Sequence, residues 1–413
     1  MRIFTGQAAA KQVRRIAERS SQLSEVEPAV RRIVDDVRRR GDRALREYGR
    51  RWDGLPAGQS LQVDRRQMQA AWKAAPAEFR SALKLAAENI RQFCNWQKPA
   101  EWKRLQGGII LGQLVRPLDS VGCYIPGGRY PLVSTLLMTV IPAQVAGVKN
   151  IRVVSPQPKS EVLAAAGMLG VPEFYRVGGA HAIAALAYGS ESIARVDKIV
   201  GPGNLYVTAA KKLVSSDCAI DFLAGPTEVL ILSHSGEPQF IAADLVAQAE
   251  HDPQALPVFI TTARDLAESV AQFVQRAARE NSVARQSLQA HGAILLAKSQ
   301  AEALAWANQI APEHITVQRE DLAHIQNAGS IFVGNYSPQA AGDYASGPNH
   351  VLPTAGVARF RGGLSVLDFV KLITVQQLSK KGLRRIAPAV EHLAKAEGLW
   401  AHAESIRARF AHA

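Results

Sequence analysis

The chain has 413 residues, enough for two or three domains with a large buried core. Its 47% hydrophobic and 21% charged residues are ordinary for a globular protein, which excludes a disordered or fibrous chain. The net charge of +13 raises the question of an anionic partner such as nucleic acid. Much of the excess lies in the first fifty residues. There the arginines alternate with Val34, Val37 and Leu45 at helical spacing, which predicts a solvated helix face. No basic and aromatic stacking platform accompanies them, so no nucleic-acid partner is expected. Three unpaired cysteines, Cys94, Cys123 and Cys218, point to a reducing compartment. The start of the chain lacks a signal-peptide core, and the longest apolar run, 134–148, is broken by Pro142 and Gln144. The expectation is a cytoplasmic protein with no membrane partner.

In chain order, residues 1–95 pattern mostly as helices. Residue 119 opens an alternation of strands (119–125, 151–155, 174–177 and 198–200) with helices. A second alternation begins at 228, with strands at 228–233, 257–262, 292–297, 314–317 and 329–334 and helices near 237–251, 264–280 and 299–310. Such alternation predicts parallel sheets. The expected fold is α/β, with two Rossmann-like domains and small helical terminal segments. The expected boundaries are 1–20 for an N-terminal segment, 21–118 with 228–371 for the first domain, 119–227 for the second, and 372–413 for a helical arm.

No dinucleotide G-x-G-x-x-G and no Walker loop follows a strand. Three other Gly-rich turns do: "YIPGG" (124–128), "VGGAHA" (177–182) and "VGPGNLY" (200–206). Their backbone amides suit a dinucleotide's phosphates, although each alone reads more readily as a plain tight turn. In "APEHITV", Glu313 and His314 adjoin at a strand start, where two proton acceptors could reach one cleft. The irregular stretch 340–354 carries Asp343, Asn349 and His350, and long irregular loops are often functional. Gln248 and His251 share a helix face, and Glu397 and His402 lie in the last helix. Gln248, His251, Asp343 and His402 make a nitrogen and oxygen set that suits zinc. Spacing alone does not join them.

The motifs "VGCYIPGGRYPL", "VGGAHAIAALAYG", "DKIVGPGN", "LAGPTEVL", "QAEHDP", "APEH", "GDYASGPNHVLPT" and "EGLWAH", in that order, resemble the histidinol dehydrogenase family over nearly the whole chain. The resemblance implies oxidation of L-histidinol to L-histidine through L-histidinal, with two hydride transfers to NAD and one zinc ion per subunit. It implies Gln248, His251, Asp343 and His402 as zinc ligands and Glu313 and His314 as the two proton acceptors. Substrate would meet Thr227, Gln248, His251, His314, Asp343, His350, Glu397 and His402, and NAD would meet Tyr124, His181 and Asn204. Relatives usually have Gln where His181 stands and often Ser where Thr227 stands. The resemblance further implies an intertwined homodimer whose C-terminal arm, bearing Glu397 and His402, completes the partner's site. A paralogue with the same zinc and NAD machinery, acting on another amino or sulfo alcohol, is the alternative. Cys123, beside a Gly-rich turn, reads as a buried structural cysteine rather than a thiolate nucleophile.

Overall fold

The computed structural model describes residues 1–19, 23–127 and 131–411. It resolves into two compact units, one of Met1–Gln97 with Leu118–Phe369 and a smaller one of 98–117 with the chain from Val370 onward.

The larger unit contains two parallel sheets, as the alternating pattern predicts. One has six strands in the order Arg2–Thr5, Ala293–Leu296, Leu256–Thr261, Glu228–Leu232, His314–Val317, Ser330–Val333. The other has five, in the order Glu173–Tyr175, Asn150–Val154, Ser120–Tyr124, Lys198–Val200, Ala219–Ile220. Central strands covered on both faces read as unbroken apolar runs, and every residue of Glu228–Leu232 is buried. In the five-stranded sheet the chain moves outward from Ser120–Tyr124 and then returns to that strand's other side; in the six-stranded sheet it does the same from Glu228–Leu232, with Arg2–Thr5 added at the far edge. That reversal is the doubly wound arrangement, which opens a crevice where the order switches.

Local chemistry sets the helix ends. The Asn204 side chain accepts a hydrogen bond from the Val207 N–H at 3.1 Å and starts helix Leu205–Val214. Gly147 and Gly170 close two helices in the left-handed conformation.

Three expectations need correction. Residues 1–20 are not a separate helical segment, because Arg2–Thr5 is the edge strand of the six-stranded sheet and helix Gly6–Ala17 packs on helix Gln300–Ile310. The early helices do not side with 228–371. Leu23–Arg40 packs on Gly179–Tyr188 and Leu205–Val214, burying Val30, Val34 and Val37 with Ile183, Leu186 and Val207. Arg65–Ala74 likewise packs on Ser160–Leu169. Finally, the chain beyond 370 is not helical throughout. Val370–Leu378 is a strand paired antiparallel with Ile109–Pro117, which also pairs with Trp102–Gln106. Helices Lys380–Ala396 and Trp400–Arg407 follow in the smaller unit. Among the described residues no helix is long and apolar enough to cross a membrane.

Candidate active site

The six-stranded sheet places its chemistry at the amino ends of two neighbouring strands. His314 lies opposite Val229, so Thr227, Glu228, Glu313 and His314 share one sheet edge. The Glu313 carboxylate accepts from the Thr227 hydroxyl and from the Glu228 N–H, both at 2.7 Å. The His314 Nδ1–H donates to the Glu228 carbonyl at 2.9 Å, which leaves Nε2 as the acceptor nitrogen. Nε2 lies 3.5 Å from Asp343 Oδ1, and Nδ1 lies 3.5 Å from Glu313 Oε2. Both Glu313 and His314 are buried, at 6% and 3% exposure. Burial alone would lower the His314 pKa, but the Glu313 and Asp343 carboxylates outweigh it and hold the imidazole well above its usual value. Burial likewise opposes the charge on Asp343, and the facing His314, His350 and His251 overcome it and lower its pKa.

One pair on this edge carries no signal in the sequence. The Arg19 guanidinium grips the Glu228 carboxylate with two hydrogen bonds of 2.6 Å. It also donates to the carbonyls of Ile16 and Ile310. The Glu228 carboxylate in turn accepts from the N–H groups of Glu313, at 3.3 Å, and Ala355, at 2.9 Å. Glu228 therefore touches both candidate bases, through its N–H, its carbonyl and its side chain. Arg19 and Glu228 are 209 positions apart, beyond any local pattern.

Gln248 sits near the end of helix Pro238–Ala249, where Ile241, Leu245 and Ala249 face the core. Its amide N–H donates to the Thr227 hydroxyl, extending a relay through Thr227 to Glu313 and leaving the amide oxygen for another partner. His251 lies just past the helix end and is exposed, with its N–H directed to the Gln248 carbonyl at 3.4 Å. Asp343 belongs to the short helix Gln339–Tyr344 and is anchored by His350, whose Nδ1–H donates to its carbonyl at 2.7 Å. His350 Nε2 faces the Thr135 hydroxyl at 3.4 Å. Burial lowers the His350 pKa despite the neighbouring Asp343 carboxylate. Asn349 instead serves structure, donating to the Met138 carbonyl at 2.7 Å.

The Gly-rich turns gather at the carboxyl ends of the five-stranded sheet, beside its switch between Ser120–Tyr124 and Lys198–Val200. Gly128 of the first turn lies outside the described residues. The Tyr124 hydroxyl accepts from Gly179 N–H at 3.1 Å, and burial pushes its pKa up to about 12, so it stays neutral. Asp53 accepts from Gly178 N–H and from His181 Nε2–H, each at 2.8 Å. Gly201 is clamped on both sides: Asp221 accepts from its N–H and Lys211 donates to its carbonyl, while the two charges pair. Its φ of +116° and the Tyr124 carbonyl, only 2.2 Å from where a Cβ would stand, restrict this position to glycine.

The structure thus brings together Thr227, Gln248, Glu313, His314, Asp343 and His350, while His251 stands exposed just past the helix that carries Gln248. Glu397 and His402 belong to the smaller unit and are exposed there. Among the described residues no three His, Cys, Asp or Glu side chains form a metal-binding group. Cys123 is fully buried, and burial pushes its thiol up to about 12, the opposite of an activated nucleophile.

A doubly wound sheet with Gly-rich turns at its switch, joined to a second sheet with a buried Glu–His pair, is an α/β architecture of the kind that many enzymes use. A family model for histidinol dehydrogenase matches residues 16–410. A histidinol dehydrogenase of Methanothermobacter thermautotrophicus is 49% identical, over 91% of this chain and 92% of that protein. One of Methanosarcina mazei is 45% identical, over 97% and 95%. The crystal structure of histidinol dehydrogenase from Elizabethkingia anophelis superposes with a TM-score of 0.94 at 34% identity, covering 99% of this chain and 98% of that one. The chain belongs to the histidinol dehydrogenase family and is an oxidoreductase.

Proposed function

We propose that this protein oxidises L-histidinol to L-histidine through L-histidinal, with NAD as oxidant and one zinc ion per site. The observation that carries the reading is the pairing of Glu313 and His314 on one buried edge, each oriented by Glu228 and with separate hydrogen-bond partners. Two oxidations need two kinds of proton acceptor, one for an alcohol and one for the water that hydrates an aldehyde.

The donor chemistry around Asp343 fits zinc. Gln248 has its amide N–H occupied by Thr227 and its oxygen left over, Asp343 offers a carboxylate, and His251 offers an exposed imidazole. These three with His402 would hold the ion, which would chiefly position the substrate through its amino and imidazole nitrogens. Tyr124, His181 and Asn204 would hold NAD, which would supply the hydride acceptor. The substrate would also meet Thr227, His350 and Glu397.

His314 Nε2 takes the alcohol proton. Because Nδ1–H is committed to the Glu228 carbonyl, proton transfer does not shift the ring. Engagement of Asp343 by a cation would remove one of the two carboxylates that raise the His314 pKa, favouring the free-base form this step needs. Glu313 removes a proton from the water that adds to the aldehyde, and His314 acts again in the second oxidation.

The arm bearing Glu397 and His402 would complete the site of a second copy in a homodimer. In this reading 228–371 supplies the bases and most ligands, and 119–227 supplies the cofactor turns. The test is a panel of amino and sulfo alcohols, with kcat/KM measured for each. Histidinol leading by a hundredfold or more supports the reading, and a different leading alcohol transfers the assignment to the paralogue.

A further inference from the structure

Asp53 takes no part in the reaction described above, yet its surroundings are those of a working residue. It is the C-terminal cap of helix Asp42–Trp52, where a negative charge faces the negative end of the helix dipole. Helix stability therefore does not explain an aspartate here. Its side chain is 7% exposed, and a buried carboxylate is tolerated only when well hydrogen-bonded.

Both donors to its Oδ2 come from one turn: Gly178 N–H, just ahead of helix Gly179–Tyr188, and His181 Nε2–H in that helix's first turn. Tyr124, from the strand before the switch, receives the next amide, Gly179 N–H. Consecutive peptide groups of the turn are thus held by separate side chains. The His181 ring is 1% exposed and lies under the stacked rings of Tyr48 and Trp52, with centroids 5.7 and 5.9 Å away. With Nε2 held by Asp53, the ring cannot flip without losing a charge-assisted hydrogen bond.

We propose that Asp53 is the positioning residue of the cofactor turn: it fixes the Val177–Gly178 peptide and the His181 ring so that the turn is preorganised for the dinucleotide. The inference rests on the cofactor reading given above. Preorganisation acts on cofactor affinity and leaves the substrate edge, on the other sheet, untouched.

The test compares wild type with Asp53→Ala and Asp53→Asn. Calorimetric titration gives NAD affinity without turnover, and hydrogen exchange reports on the amides of 178–181. Steady-state kinetics separates KM for NAD from KM for histidinol. Asp53→Ala is expected to weaken NAD at least tenfold, speed exchange at 178–181 and leave KM for histidinol within twofold. Asp53→Asn keeps an acceptor oxygen but loses the charge, and is expected to recover most of the loss while remaining between twofold and fourfold weaker than wild type. If the alanine variant does not fold, the asparagine variant carries the test, with NAD weakened and histidinol unchanged. An NAD affinity within twofold of wild type in every folded variant, or equal losses for NAD and histidinol, would overturn the proposal. Wild type that binds NAD without protecting 178–181 would instead overturn the underlying cofactor reading, and the proposal with it.

Discussion

Glu313 and His314 are adjacent in sequence but face different partners. Glu313 looks towards Thr227 and His314 towards Asp343, so in the proposed reading one strand start would support two proton acceptors with separate duties. The division predicts that Glu313→Gln spares conversion of the alcohol to the aldehyde and slows oxidation of the aldehyde by about a hundredfold to ten-thousandfold, the usual contribution of a general base. The check is to follow each half-reaction separately, supplying histidinol or histidinal as substrate. Equal slowing of both would end the division of labour. The neighbouring pair Glu313–His314 was legible as chemistry because both residues ionise and both sit at a strand start. The relay from Gln248 through Thr227 to Glu313 was not legible, since no sequence period relates a helix end to two strand starts. The same holds for His181 and Asp53, which lie 128 positions apart.

At the scale of elements, the site depends on how strand starts are anchored. Arg19, just past the first long helix, reaches Glu228 and the carbonyl of Ile310 at the end of helix Gln300–Ile310. It thereby ties the N-terminal strand and helix to the edge that carries the bases. Breaking a largely buried charge pair leaves the remaining carboxylate uncompensated, at a cost of about 3–5 kcal/mol. Arg19→Met is therefore expected to lower unfolding stability by about that amount in urea titrations and to reduce kcat, because Glu228 orients Glu313 and His314. Unchanged stability and unchanged kcat would show the pair to be incidental.

The elements that sequence reading caught were the buried ones. Val229–Leu232 is an unbroken apolar run because helices cover both of its faces. The strands that escaped were exposed or short. Val370–Leu378 shows no buried residue, so its lysine and glutamines break any apolar alternation. Arg2–Thr5 is four residues long and becomes a strand through pairing with Ala293–Leu296. Tertiary pairing decided both, and local pattern held no trace of it.

For the whole molecule, the two sheets use opposite edges: the five-stranded sheet gathers its turns at its carboxyl ends, and the six-stranded sheet holds Glu313 and His314 at amino ends. The assembly reading adds that one copy's arm completes another's site. It predicts that His251→Ala and His402→Ala, each inactive alone, regain activity when unfolded together and refolded. Random pairing makes half of the dimers mixed, each with one intact site, so about a quarter of wild-type activity should return. Mixtures as inactive as either parent would place His402 in its own chain's site or outside any site.

The central claim is a four-electron oxidation at a metal-assisted site. The measurement that tests it most directly is NADH formed per L-histidinol consumed, before and after treatment with a zinc chelator. The account predicts two NADH per histidinol, lost on chelation and restored by zinc. One NADH per histidinol, or turnover indifferent to chelation in protein shown by elemental analysis to be metal-free, would contradict it.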